Sequence, residues 1–336
     1  MSIIQALQRQ AQQLLPIISQ ALIAQGFSEI EHQRISQQHN QETPDSHTDD
    51  MCYQGLTRAQ HLQLGWVMIK WQLSSEACHI SGDLIREANI LAALNTVSRE
   101  KNTLTNIAPP LLDCHCLAVQ FLAQPHKLII AVMPYYPNGS LAGRLNVRKH
   151  PPMTAQQKHN CILQSAHLIA DLHHTGLLHN DIKPSNILLD DAVHSGVPHH
   201  RSVPSDVNNN EVIPGLLLTD FALAEYSSIA SVANTAGSPA YLAPECWQGQ
   251  GSTVQSDIYA FAIMLYEILV GERPFSINTQ SSEPMTDWAI QHCQQPIPKL
   301  LSKYGMYQCI IHKALAKRKE KRYQSMMDVI IDLENL

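Results

Sequence analysis

Apolar residues recur at helical spacing over residues 1–26, the first patterned stretch of the chain. Gly26 then provides a stop signal. This spacing predicts an amphipathic helix, which would either cap the following domain or contact a partner protein. The apolar positions that share one face are Leu7, Ala11, Leu14, Leu15, Ile18 and Leu22.

Shorter apolar runs, typical of β-strands, begin near residue 51. Residues 64–71 (LGWVMIKW) and 128–133 (LIIAVM) predict two strands. Between them, residues 83–94 predict a helix, because Leu84, Ala88 and Leu91 fall on one face. Residues 36–50 are polar and rich in turn-forming types, so we expect a loop there.

Helical patterns dominate after residue 140. A polar insert at 190–216 contains Pro, Gly, His and three consecutive Asn, a composition that predicts a surface loop. Strands followed by helices predict an α+β, two-lobed architecture. We expect a helical extension over 1–35, a small β-rich N-lobe over 36–134 and a larger helical C-lobe over 135–336. The predicted C-lobe helices span 155–176, 254–270, 285–293, 307–316 and 324–336.

Composition narrows the class of protein. Of 336 residues, 44% are apolar and 15% charged, which is typical of a globular chain with a substantial core. The net charge of −6 provides no basic footprint for nucleic acid. No secretory signal opens the chain and no apolar run reaches the ~20 residues of a membrane span. The cysteines are scattered, and Cys114-His115-Cys116 has poor spacing for zinc, so we expect a reducing, cytoplasmic location.

The strongest chemical signal is a series of short motifs in the second half of the chain. Residues 179–186 read HNDIKPSN, and Asp220-Phe221-Ala222 follows them. Then come GSPAYLAPE at 237–245, SDIY at 256–259, GERPF at 271–275 and Arg322 within 319–323. In this order the motifs resemble those of the eukaryotic-type serine/threonine protein kinases, and six ordered motifs are far more specific than any one of them. The resemblance implies the two-lobed protein-kinase-like fold.

The resemblance implies roles for four residues of the second half. Phosphoryl transfer asks a protein mainly for positioning and charge stabilisation. Asp181 would be the catalytic base, orienting the substrate hydroxyl and accepting its proton. Lys183 would offset the charge of the transferring phosphate. Asn186 and Asp220 would supply the hard oxygen ligands that Mg²⁺ favours, with ATP as the phosphate donor.

Nucleotide-binding residues are implied in the first half and at the start of the second. Residues 67–70 (VMIK) resemble the family's Val-Ala-Ile-Lys, so Lys70 would hold the phosphates of ATP and Glu87 would pair with Lys70. Met133 and Tyr135 fall where the family's hinge meets adenine through backbone groups, and Leu188 is expected to contact the nucleotide as well.

Two residues indicate the class of substrate. Lys183 in the catalytic loop and Ser238 in the segment at 237–245 follow the serine/threonine pattern of the family, whereas tyrosine kinases carry other residues at both positions. The resemblance therefore implies a protein substrate with a Ser or Thr hydroxyl. Two further pairings look structural: Glu245 with Arg322 as a buried ion pair, and Asp257 as a brace for the catalytic loop.

Three positions depart from the family pattern. The glycine-rich loop is missing. One register puts Asp45, His47 and Asp50 where glycines belong, and Gly55 and Gly65 could anchor a different one. Met68 replaces the small alanine over adenine, and Asn180 replaces the arginine that receives an activation-loop phosphate. A pseudokinase, acting as a kinase-shaped binding or scaffold module, is therefore the alternative. Phosphorylation of a small molecule is a third and less favoured one.

Overall fold

A computed structural model describes residues 3–38, 52–75, 83–100, 106–190, 214–227 and 237–336. The chain divides into two compact units. The first comprises residues 1–101 and 108–135, and the second comprises residues 102–107 and 136–336. Within the ranges given above, no helix combines the length and the apolar character needed to cross a membrane.

The first unit is built on a five-stranded antiparallel sheet with strand order β1-β2-β3-β5-β4. Successive side chains of a strand point to opposite faces of the sheet, so a strand can contribute side chains to a core on each face. The elements are α1 (Ile3–Ala24), β1 (Phe27–Gln38), β2 (Cys52–His61), β3 (Gly65–Ser75), α2 (Asp83–Glu100), β4 (Asp113–Phe121) and β5 (Gln124–Pro134).

Helix α1 packs its apolar stripe against one face of this sheet. Leu14, Ile18 and Leu22 are fully buried in a core that also contains Trp71 and Ile130. The apolar stripe predicted from the sequence is therefore confirmed from residue 14 onward. This packing is what a helix that caps the sheet requires. Contact of α1 with a partner protein stays a prediction.

The opposite face of the sheet belongs to helix α2. Leu84 packs with Ile129 and Ala131 of β5 in a smaller core. In β3, the side chains of Val67, Ile69, Trp71 and Leu73 join the α1 core. The alternation of a strand then places Lys70 on the α2 face, next to the buried Trp71 but pointing the other way.

The sequence-based boundaries at residues 35 and 36 need correction. Strand β1 runs through both of them, because Phe27–Gln38 pairs with β2 as far as Gln38 opposite Cys52. Residues 36–38 are therefore strand rather than loop. The rest of the predicted loop lies outside the described residues, apart from the start of β2. Helix α1 and β1 belong to the same compact unit as the other strands.

The second unit is mainly helical. Its central helix α6 is buried around most of its circumference, which explains the continuous apolar run that predicted it. The helices are α3 (Leu141–Leu145), α4 (Ala155–His174), α5 (Pro244–Trp247), α6 (Val254–Val270), α7 (Pro284–Gln294), α8 (Gln308–Ala314) and α9 (Met326–Glu334). Two short antiparallel pairs complete it: β6 (Leu177–Leu178) with β9 (Glu225–Tyr226), and β7 (Ile187–Asp190) with β8 (Gly215–Leu218).

The predicted insert at 190–216 is shorter at both ends in the structure. Asp190 is the last residue of β7, and Gly215 opens β8 directly opposite it. The two strands pair because Ile187, Leu189, Leu217 and Leu218 supply buried side chains. Residues 191–213 lie outside the described residues.

A buried ion pair ties α5 to the segment before α9. Arg322 donates from both terminal nitrogens to the two carboxylate oxygens of Glu245, each at 2.7 Å. The other N–H groups of Arg322 reach the carbonyls of Ala316, Gln255 and Lys317. Burial opposes ionisation of Glu245, but the hydrogen bonds and charge of Arg322 outweigh it and hold the pKa of Glu245 below its ordinary value.

His292 of α7 is fully buried in an aromatic box. The rings of Trp247, Tyr259, Phe275 and Trp288 lie within 6.5 Å of its own ring, centroid to centroid. The hydroxyl of Tyr259 lies 3.0 Å from Nδ1, a contact that suits a neutral imidazole nitrogen accepting a hydrogen bond. Burial, with the positive charge of Lys317, lowers the pKa of His292 to about 3.

We expect Arg322→Ala to lower the free energy of unfolding by roughly 3–5 kcal/mol, because it leaves the buried Glu245 carboxylate unpaired. The measurement is chemical denaturation, with the melting temperature as a second readout. Arg318→Ala is the matched control, since Arg318 is 78% exposed and meets Glu320 only at 3.8 Å. That exposed pair should contribute about 0–1 kcal/mol. Equal losses for the two variants would contradict the assignment.

The buried His292 predicts a pH dependence of stability. Its pKa is lowered on folding, so between about pH 6.5 and pH 3 the unfolded chain binds the extra proton. Unfolding free energy should therefore fall with decreasing pH, by up to ~1.4 kcal/mol per pH unit from this residue. Denaturation at several pH values should show a shallower slope for His292→Gln. His312→Gln, on the exposed side of α8, measures the loss of a surface histidine, and an identical slope in both variants would reject this role.

Candidate active site

The catalytic-loop motif connects β6 to β7. His179 and Asn180 follow β6, and residues 184–186 form a single turn of 3₁₀-helix before β7 begins. Asp181 lies between these elements with only 8% of its surface exposed. The loop therefore presents one largely buried carboxylate, held by the chain on both sides.

Asp181 is the centre of a compact hydrogen-bonded cluster. Its Oδ2 accepts from Lys183 Nζ at 2.5 Å and from Asn186 Nδ2 at 2.9 Å. Its Oδ1 accepts from the backbone N–H of Ser238 at 3.0 Å. Lys183 Nζ also donates to Ser238 Oγ at 2.7 Å. The structure thus brings three predicted site residues together and adds Ser238, which the sequence had linked only to substrate class.

Gly237 allows the segment of Ser238 to come this close to the catalytic loop. Its φ of +146° belongs to the region that favours glycine. A Cβ atom at this position would lie 3.1 Å from the backbone oxygen of Asn180 and 3.0 Å from Leu242. A side chain here would push the Ser238 amide away from Asp181.

The two predicted magnesium ligands are brought together by strand pairing. The backbone N–H of Thr219 donates to the carbonyl of Asn186 at 3.0 Å, continuing the ladder between β7 and β8. Asp220 is the next residue, with a left-handed backbone at φ 67° and ψ 67°. Asn186 Nδ2 donates to the backbone oxygen and to Oδ2 of Asp181. These two bonds fix the orientation of the amide, whose Oδ1 would be the atom that binds a metal ion. An amide oxygen and a carboxylate fit a hard divalent cation.

Asp257 of α6 holds the backbone of the catalytic loop. Its Oδ2 accepts from the N–H of His179 at 2.9 Å, and its Oδ1 accepts from the N–H of Asn180 at 3.0 Å. His173 Nε2 contacts the same Oδ2 at 2.9 Å. These bonds confirm the bracing role predicted for Asp257. His173 was missed, because a histidine at the end of a helix gives no distinguishing signal in the sequence.

The charge of Asp257 is stabilised inside the protein. Burial opposes its ionisation, but the hydrogen bond and charge of His173 outweigh burial and hold the pKa of Asp257 below its ordinary value. Burial lowers the pKa of His179, which favours the neutral ring there. An ionised acceptor makes stronger hydrogen bonds to backbone N–H groups than a neutral one.

Asn180 occupies the position of the family's arginine with a backbone that few side chains adopt. Its φ is 66°, in the left-handed region that asparagine tolerates better than most residues. Its Nδ2 donates to the carbonyl of Leu223 at 2.9 Å. Its side chain thus binds the segment after Asp220, and this amide carries no positive charge with which to receive a phosphate.

In the first unit, Lys70 and Glu87 form the predicted pair. Lys70 Nζ lies 2.7 Å from Glu87 Oε2, and the two side chains are 17% and 4% exposed. The pair joins β3 to α2 on the face of the sheet opposite α1. A charge-assisted hydrogen bond of this kind fixes the direction of a long lysine side chain.

Of the remaining predicted nucleotide-binding residues, Met133 and Tyr135 lie in the first unit and Leu188 lies in the second. Met133 lies near the end of β5, directly opposite Met68 of β3. The backbone N–H of Tyr135 donates to the carbonyl of Trp66 at 3.0 Å, so this amide already has a partner within the first unit. Leu188 lies in β7 and is half-buried between two buried neighbours. Asp45, His47 and Asp50, the register proposed for the glycine-rich loop, lie outside the described residues.

Comparisons with known proteins agree with this geometry. A family model described as "Protein kinase domain" matches residues 80–331. The serine/threonine-protein kinase PknB of Mycobacterium leprae is 35% identical over 116 residues, which cover 33% of this chain and 18% of that protein. The probable serine/threonine-protein kinase PknB of Lactococcus lactis is 33% identical over 123 residues, covering 34% and 19%.

The serine/threonine-protein kinase PknB of Mycobacterium tuberculosis is similar to the same extent. It is 34% identical over 111 residues, which cover 32% of this chain and 17% of that protein. The chain thus matches less than a fifth of the length of each of these relatives. The family match begins at residue 80, after β3. The family match therefore does not include Lys70, and its assignment as the nucleotide-binding lysine is supported by its ion pair with Glu87.

We expect Asp257→Asn to loosen the catalytic loop, because an amide offers only one acceptor oxygen and one of the two backbone N–H groups loses its partner. The loss should be about 1–3 kcal/mol of stability. Hydrogen exchange of residues 179–180 should become faster in this variant. Asp332→Asn is the matched control, since Asp332 accepts the hydroxyl of Tyr323 and an amide oxygen can still accept it. Unchanged exchange in Asp257→Asn would contradict the bracing role.

Proposed function

The chain belongs to the protein kinase family, and we propose that it transfers the γ-phosphate of ATP to Ser or Thr hydroxyls of protein substrates. The observation that carries this proposal is the cluster around Asp181. A carboxylate, a lysine and an amide meet there on one short loop, and the carbonyl of Asn186 in that loop accepts from Thr219, the residue before Asp220. Phosphoryl transfer needs this combination of a base, a positive charge and hard oxygen ligands.

Asp181 acts as the base in this proposal. A substrate hydroxyl would replace the Ser238 N–H at Oδ1 of Asp181. Its proton would pass to the carboxylate while its oxygen bonds to the γ-phosphorus and the bond from that phosphorus to ADP breaks. The remaining bonds, from Asn186 and its neighbours, hold the carboxylate in place during the transfer. A base that is already oriented loses little entropy in reaching the reactive geometry.

Lys183 and the magnesium ligands would stabilise the negative charge of the phosphate groups during transfer. Lys183 stays within reach of the transferring phosphate because Asp181 and Ser238 both hold its ammonium group. Asn186 and Asp220 would hold Mg²⁺, which when bound neutralises phosphate charge. Lys70, aligned by Glu87, would bind the phosphates of ATP, with Met133, Tyr135 and Leu188 as nucleotide contacts.

The bond between Lys183 and Ser238 supports Ser/Thr specificity. It places the serine hydroxyl beside the ammonium group that contacts Oδ2 of Asp181, close to where a short aliphatic hydroxyl would approach. The comparisons point the same way, because the relatives named above are called serine/threonine-protein kinases. Since the similar region spans less than a fifth of each relative, the substrates and partners of the whole protein are part of this proposal.

Labelled ATP with Mg²⁺ tests the proposal, using the chain itself and a generic protein as acceptors. Asp181→Asn should lower phosphate incorporation about 100-fold or more, the range typical of a lost general base. Asp287→Asn on α7 is the matched control and should behave like the wild type. The product should contain phosphoserine or phosphothreonine.

Three outcomes separate the possible functions. Equal incorporation by wild type and Asp181→Asn would reject the role of Asp181. Incorporation into tyrosine would reject the substrate class. If ATP raises the melting temperature of the wild type but no label is transferred, the chain is a nucleotide-binding pseudokinase.

A further inference from the structure

A chain of four polar groups links α1 to the sheet. Ser19 Oγ of α1 lies 2.9 Å from His32 Nε2 of β1. His32 Nδ1 lies 2.8 Å from Thr57 Oγ1 of β2, and Trp71 Nε1 of β3 donates to the same oxygen at 2.9 Å. One continuous set of hydrogen bonds therefore links α1 to three neighbouring strands. The site described above uses none of these four side chains.

The direction of one of these bonds is fixed by its chemistry. An indole N–H can only donate, so Thr57 Oγ1 accepts from Trp71. A hydroxyl has one hydrogen and two acceptor sites, so the tautomer of His32 decides whether Thr57 and Ser19 donate to its ring or accept from it. Burial lowers the pKa of His32, which favours the neutral ring.

Thr57 is the central member of this network. It is 0% exposed, as is Trp71, so neither can turn to water for a partner. Loss of the Thr57 hydroxyl would leave the buried indole N–H of Trp71 and a nitrogen of the half-buried His32 ring without this partner. Buried polar groups without partners are among the more destabilising defects a core can contain.

The indole of Trp71 is confined from a second side by Gly55 of β2. Gly55 pairs with Trp71 in register, and a Cβ atom at position 55 would lie 2.2 Å from the indole ring. The ring thus packs directly on the glycine backbone while its nitrogen is held by Thr57. Contact with Gly55 limits how closely the ring approaches β2, and the hydrogen bond sets its rotation.

Trp71 directly follows Lys70 in β3. Adjacent residues of a strand point to opposite faces, so a rotation of the strand about its axis at Trp71 moves Lys70 in the opposite sense, and a shift of the strand carries Lys70 with it. Lys70 meets Glu87 there at 2.7 Å. A change of a few tenths of an ångström at this distance would weaken the pair.

We propose that α1 is a built-in brace for the nucleotide-binding lysine, and that Thr57 is the positioning residue through which it acts. The Ser19–His32–Thr57–Trp71 network fixes strand β3 from the α1 face, and thereby sets the direction of Lys70 on the α2 face. This inference rests on the proposed function in one respect, namely that Lys70 binds the phosphates of ATP. It assigns α1 a role in nucleotide affinity.

Thr57→Val and Thr57→Ser test the inference in the full chain. Valine keeps the shape of threonine and loses the hydroxyl, whereas serine keeps the hydroxyl. Thr57→Val should raise the KM for ATP about fivefold or more, as expected for one lost buried hydrogen bond, with kcat changing less than KM. Thr57→Ser should restore a KM near that of the wild type. The matched control in the same unit is Thr96→Val, whose hydroxyl is exposed on α2.

Ser19→Ala provides a second variant at the milder, half-buried end of the network. It should also raise the KM for ATP, by a smaller factor than Thr57→Val. It replaces Thr57→Val as the test if that variant does not fold. A wild-type KM in Thr57→Val, measured well below its melting temperature, would overturn the inference. Equal increases in Thr57→Val and Thr57→Ser would also overturn it, because packing rather than the hydroxyl would then be responsible.

Failure of the proposed function is a distinguishable result. If the wild type transfers no phosphate, hydrogen exchange of the β3 amides near Lys70 becomes the readout. Faster exchange in Thr57→Val than in Thr57→Ser would support the brace without phosphotransfer. Equal exchange in the two variants would overturn the brace itself.

Discussion

The catalytic loop depends on one buried acceptor, the carboxylate of Asp257. It receives the backbone N–H groups of His179 and Asn180, and His173 supports its charge. Asp257 projects from α6, the helix with the most continuous burial in the second unit, so core packing fixes its position. The loop, and with it the cluster around Asp181, is therefore held by the core of the domain. An ionised acceptor suits this task because each N–H bond it accepts is strengthened by the charge.

The first unit shows how a sheet can serve two cores at once. One face carries the apolar stripe of α1, and the other carries α2 with the ion pair of Lys70 and Glu87. The structure also shows the surroundings of Met68, one of the departures from the family pattern. Met68 replaces a small residue on β3, and in the sheet it lies opposite Met133, where a flexible side chain adapts to its neighbours. The missing glycine-rich loop falls between β1 and β2, at residues outside the described ranges.

Elements with strong periodicity were predicted well, and polar strands were not. Helix α6 was predicted at its observed bounds, because a buried helix needs a long apolar run. Residues 27–35 of β1 were assigned to the helical extension and residues 36–38 to a loop, since Phe27–Gln38 contains few apolar residues and lies at the edge of the sheet. An edge strand tolerates polar side chains, and its strand structure depends on pairing with β2, the next strand of the chain. Local pattern carries little of that information.

The sequence by itself determined which residue types stand at the chemical positions, namely Asp181, Lys183, Asn186, Lys70 and Glu87, because motif spacing is a local property. Only the tertiary structure decided how they are held. Asp257 reaches His173 across 84 positions, and Thr57 joins His32 to Trp71 across three strands. These partners are far apart in the sequence and meet only in the folded chain. A buried hydrogen bond forms where packing brings a donor and an acceptor within about 3 Å of each other.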